Sequence, residues 1–148
     1  MFGLGKLFGK AKAEAIKFDK RDMAEATVAG AILVMAADGE IEESEMTTLQ
    51  GIISVHPAFQ AFGSEIHVMV DKFITIMKSG ATLGKVMVMD EIRDCQNSEG
   101  EKIQIFAILV DVAKADGEIE PSEKAVLKDI AKNLCIPNNY LVEFGIED

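Results

Sequence analysis

The chain has 148 residues, nearly half of them apolar and about a quarter charged, which excludes a disordered polar chain and fits a single domain with a proper core. Its net charge of −10 is unevenly placed: residues 1–21 carry +4 and the remainder −14. An acidic body repels nucleic acid and attracts cations, so nucleic acid is not an expected partner.

The first stretch, MFGLGKLFGKAKAEAIKF, sets Phe2, Leu4, Leu7, Phe8, Ala11, Ala15 and Phe18 roughly on one helical face among lysines. It is expected as a terminal helix packed on the body, with peripheral membrane contact through residues 1–18 as the sharper reading. This basic amphipathic segment, residues 1–21, precedes a helical domain over 22–148. Lys6 breaks the opening apolar run, no cleavage site follows, and no stretch is long enough to span a bilayer. Cys95 and Cys135 stand apart with no CxxC, which suits a reducing compartment, so a cytoplasmic protein is expected.

Asp22 opens a strongly apolar helix, with Glu25 as its capping partner, that stops at Asp38-Gly39. The next helix runs over 43–55 with Pro57 past its end, another from Ser64 to about Lys78 closed by Gly80, and a fifth from Thr82 to about Cys95. Ser98 and Glu101 form a capping box before a helix that stops at Asp116-Gly117. Pro121 takes a first helical position, that helix reaches about Cys135, and Asn138 to Phe144 adds a short last turn. Loops are short, strand signals are lacking, and Ala, Leu, Met, Glu and Lys abound. The predicted fold is all-α, one domain of about seven or eight helices.

One acidic turn is written twice. AADGEIEESE at 36–45 returns as KADGEIEPSE at 114–123, an offset of 78. Val34 matches Val112, Asp38 matches Asp116, Gly39 matches Gly117, Glu42 matches Glu120 and Glu45 matches Glu123; Leu49 and Ile52 match Leu127 and Ile130. The repeat therefore covers a helix–turn–helix hairpin on each side. Two related hairpins packed about a pseudo-two-fold axis would bring the turns together.

Each turn has a structural reading. Asp-Gly closes a helix, Glu42 and Glu120 sit at N-caps, and Glu45 and Glu123 reach back as capping partners. Against it, Asp38 and Asp116 meet the negative end of a helix dipole, at a cost of about 0.3–1 kcal/mol each. From Asp38 to Glu45, and from Asp116 to Glu123, no basic residue offsets the crowded carboxylates. The spacing also reproduces the second half of an EF-hand calcium loop, with Asp, Gly, Glu, Glu and Glu at the fifth, sixth, seventh, ninth and twelfth places. The first half is absent: Val34 and Ala36, or Val112 and Lys114, fall where its ligands belong. Two half-loops sharing one ion, or holding two weakly, suit an oxygen-only site for Ca²⁺ or Mg²⁺.

On these residues, VMAADGEIEESEM and VAKADGEIEPSEKAVLKDIAKNL, the chain resembles the tellurite-resistance TerB family over about residues 22–145. The resemblance implies a helical fold of about seven helices with both acidic turns at one end, holding divalent cations. It also implies resistance to tellurite, phage and other stresses through complexes with other Ter proteins at the inner membrane face. Asp38, Glu45, Asp116 and Glu123 carry most weight as metal residues, with Glu42 and Glu120 behind them.

Other groups have plainer readings. His56 and His67 lack ligand neighbours and are expected at the surface or in packing; Asp90, Glu91, Arg93 and Asp94 are expected as a solvated helical face, with Asp90 or Asp94 as a third-side ligand the rarer reading. Met69, Met77, Met87 and Met89 are expected to fill core, an ion-exposed groove being the rarer reading. No nucleophile–base arrangement stands out, so no enzyme is expected. Three functions remain in play: a cation-binding TerB-type adaptor, a helical scaffold whose acidic turns are only caps, and, last, a metal-dependent hydrolase with Glu as base.

Overall fold

The computed structural model describes residues 21–39, 41–115 and 117–147; residues 1–20, Glu40, Asp116 and Asp148 lie outside the described set, and the leader helix expected at residues 1–18 falls there. Among the described residues the chain is all-α, with no strand, and no helix is long and apolar enough to cross a membrane.

The first helix, α1, covers 21–35. From Met23 onward only Glu25 on this helix is not fully buried, as its continuous run of Ala, Val, Ile, Leu and Met requires. Asp22 lies inside the helix and does not cap it; Glu25 instead accepts from Arg21 Nε at 3.1 Å, an i,i+4 pair. The only buried polar side chain here, Thr27, is satisfied by donating to the Met23 carbonyl at 2.7 Å.

Then come α2 (Glu43–Val55), α3 (Pro57–Gln60), α4 (Glu65–Ser79), α5 (Ala81–Arg93), α6 (Glu99–Ala113), α7 (Pro121–Leu134) and α8 (Asn138–Glu143). Pro57 does not simply end α2. It starts the one-turn α3, whose four residues are too few to show a periodicity. Gly80, with an extended φ of 168°, serves as the joint between α4 and α5. Ser98 caps α6 as expected, its hydroxyl accepting from Glu101 N at 3.3 Å. Of the four methionines expected in the core, Met69 and Met89 are buried and Met77 packs against it, but Met87 is 45% exposed. It follows Leu83 and Val86 on the outer face of α5, where helical spacing turns it away from Val88 and Met89.

The doubled hairpins are α1–α2 and α6–α7, and they share one backbone plan. In the first turn Ala36 N donates to Ile32 O at 3.0 Å, Ala37 N to Val34 O at 3.2 Å and Gly39 N to Ala36 O at 3.0 Å. The second repeats this at the 78-residue offset: Lys114 N to Val110 O at 3.0 Å, Ala115 N to Val112 O at 3.2 Å, and Gly117 N to Lys114 O at 2.9 Å. Gly39 and Gly117 take φ of 95° and 109°, a region that side chains with a Cβ rarely enter. The two hairpins meet along α1 and α6, where a Cβ placed on Gly30 would stand 2.5 Å from Leu109 Cδ1. α6 also packs against α2 and α7, and α5 against α4 and α7.

The halves are not equally well packed. α7 buries Val126, Leu127, Ile130, Ala131 and Leu134, whereas α2 buries Leu49 alone among its apolar residues. Met46, Ile52 and Ile53 of α2 pack only partly into the core, so α2 is held less firmly than α7 by apolar burial.

Glycines in two helices should respond to alanine with opposite signs. A Cβ on Gly84 would lie 2.8 Å from Ile76 O and 2.9 Å from Met77 Cα, both backbone, so Gly84→Ala must push α5 off α4. Gly51, exposed within α2, has nothing within 4 Å. Chemical denaturation should show Gly84→Ala losing about 1–3 kcal/mol and Gly51→Ala gaining about 0.5–1 kcal/mol.

Candidate functional site

The end of α1 and the start of α2 carry the first acidic turn; the end of α6 and the start of α7 carry the second. Glu42 and Glu120 are the N-cap residues, both extended, with ψ of 146° and 150°. Glu45 and Glu123 therefore occupy the same place in the first turn of each helix. From there the helical period points them along the stripe of Leu49 and Leu127, into the molecule.

Both are buried: Glu45 is 2% exposed and Glu123 is 3% exposed, and they are the only buried acidic side chains among the described residues. They also face each other. Burial pushes the Glu45 carboxyl up to about 8, reinforced by its hydrogen bond with Glu123 and by the negative charges of Glu123, Glu42 and Asp38. Two carboxyls in contact away from water cannot both be charged cheaply, so Glu45 keeps its proton well above the ordinary carboxylate range. The turns thus converge in space, as the repeat predicts.

The two partners differ in what holds them. Glu123 Oε1 accepts from Glu120 N at 2.9 Å, so the capping reading holds for this half of the pair. Glu45 Oε2 is buried with no hydrogen-bond partner among the described residues. An unsatisfied buried oxygen of this kind costs about 1–3 kcal/mol.

The remaining predicted residues form the rim. Asp38 is exposed, Glu42 is half-buried, and both lie close enough to act on Glu45; Glu120 is exposed, and Asp116 lies outside the described residues. Among the described residues, no three His, Cys, Asp or Glu side chains are gathered as a set that could hold an ion. The charged face of α5 is solvated as expected, with Arg93 donating to Asp90 at 2.7 Å. His56 packs its ring 5.0 Å from Phe59, and His67 is exposed.

Sequence reasoning passed over the apolar surroundings of α2. A cavity of about 330 Å³ is walled by Met46, Ile53, Phe59, Ile66 and Val70. A second, of about 510 Å³, is walled by Ala36, Ile41, Met46, Ile74 and Met77. Met46 belongs to both, and it directly follows Glu45. The signal was the poorer apolar stripe of α2, with Thr48 where α7 has Val126 and His56 where it has Leu134.

A comparison with protein families matches residues 24–143 to the tellurite resistance protein TerB family. The chain belongs to the TerB family. No curated protein and no solved structure matched it. Family membership accounts for the all-helical fold and for a domain associated with tellurite resistance.

The buried pair makes stability depend on pH in a definite direction. The folded chain holds a proton on Glu45 that the unfolded chain releases from about pH 4.5 upward. Metal-free stability should therefore fall as pH rises from about 5 to 8, by at most about 1.4 kcal/mol per unit. Denaturation across that range, in chelator, should show the slope, and Glu45→Gln should flatten it.

Proposed function

We propose that this TerB domain captures a divalent cation between its two acidic turns and, in that state, presents a surface to a protein partner. The observation that carries the reading is the buried carboxyl of Glu45, hydrogen-bonded to Glu123, its pseudo-symmetric equivalent, while its own Oε2 is left unpartnered. A structure that needed only caps would have no reason to bury that oxygen unpaired.

The chemistry of the donors suits a hard cation. Glu45 and Glu123 would hold it from the two helices, Asp38, Glu42 and Glu120 would contribute from the rim, and Asp116 joins them by sequence equivalence. All are carboxylates, which suits Ca²⁺ or Mg²⁺ over metals that prefer nitrogen or sulfur. A bound ion would supply the positive charge that offsets this repulsion. Glu45 would then give up its proton, and its oxygen would gain the partner it lacks. The protein's part is binding, not catalysis, and the tellurite-resistance association would be exerted through Ter-type partners at the inner membrane surface. The scaffold reading keeps one specific support, the Glu123 bond to Glu120 N, which leaves Glu45 unexplained.

Added Ca²⁺ or Mg²⁺ should raise the melting temperature, by about 2.7 kcal/mol of stabilisation at a hundredfold excess over Kd. Asp38→Asn combined with Asp116→Asn should abolish that rise while leaving the metal-free protein as stable or more so. Calorimetric titration at pH 7 in buffers of different ionisation enthalpy should show proton release on binding, lost in Glu45→Gln. A variant pair that weakens the metal-free fold instead would support caps.

A further inference from the structure

We infer that α2 is the moving part of this site and α7 its fixed wall, so that ion capture is expressed as closure of α2 over the cavities beside Met46. The inference rests on the cation reading above and adds what the capture does to the molecule.

Three observations support it. The carboxyl pair joins two helices of unequal anchorage: α7 brings five buried apolar residues, α2 only Leu49. Two half-open, largely apolar grooves of about 330 and 510 Å³ adjoin α2, with Met46 lining each. The unpartnered oxygen is on α2, while the carboxyl opposite it is tied to its own backbone at 2.9 Å. A pull between the two carboxyls therefore moves the helix with fewer fully buried apolar side chains and room beside it, because local opening follows apolar burial. Ile41 and Met77, both partly buried, line the larger cavity, so closure would change an apolar surface directly beside the first turn.

The test is hydrogen exchange by mass spectrometry on the full chain, in chelator and with saturating Ca²⁺ or Mg²⁺, alongside calorimetric titration. Without ion, amides of 43–55 should exchange faster than those of 121–134. With ion, 43–55 should slow by about tenfold or more, and 121–134 by less than about twofold. Binding heat with equal slowing of both helices, or with none in 43–55, overturns this inference and leaves the cation reading standing. Absence of binding heat overturns both.

Thr48→Val provides a second arm, since it gives α2 the side chain its equivalent carries at Val126. The variant should slow exchange of 43–55 in chelator, shrink the ion-induced change and tighten ion binding by several-fold. An unchanged affinity with α2 already protected would show that α2 closure is not coupled to the ion, and would overturn the inference.

Discussion

The structure turns on two carboxyl groups that meet in its interior. Burying one acid is costly, and burying two against each other is more so, unless a proton or a cation stands between them. Glu45 and Glu123 are placed by the first turns of α2 and α7, which in turn are placed by the crossing of α1 and α6 at Gly30 and Leu109. The whole hairpin pair is thus arranged around an electrostatic conflict. In the metal-free protein burial relieves it by keeping the proton on Glu45.

That arrangement depends on backbone repetition more than on side-chain repetition. The hydrogen bonds of the two turns agree at every equivalent position, and both glycines adopt positive φ. The side chains behind the turns diverge. α7 has a full apolar stripe; α2 has Thr48, a half-buried Ile52 and His56 along its own. The same skeleton therefore presents one stiff and one yielding half.

Much of this was legible in the sequence, for identifiable reasons. Helix boundaries followed from Gly39, Gly80, Ser98 and Pro121, whose backbone roles are local. The convergence of the turns followed from the offset alone. The inward aim of Glu45 was also readable, since Glu45, Leu49 and Ile52 fall on one helical stripe. The sequence did not separate Glu45 and Glu123 from Asp38 and Asp116, because burial is decided by the opposite hairpin rather than by neighbours in the chain. α3 escaped because four residues cannot display a period. Met87 was misjudged because α5 alternates buried and exposed apolar positions, and spacing alone does not say which face is covered.

A smaller contact marks the second turn. Lys114, where the first copy has Ala36, donates from Nζ to the Phe144 carbonyl at 3.2 Å. Phe144 stacks on Phe106 and leans on Tyr140. The residues after α7 thus buckle the later turn in place, while the earlier one has no lysine at that position to tie. During synthesis on the ribosome, the compliant half would emerge first and wait. Its rigid counterpart is complete only once Phe144 has been added and folded back, so the cradle cannot exist on a nascent chain until nearly all of the domain has been made.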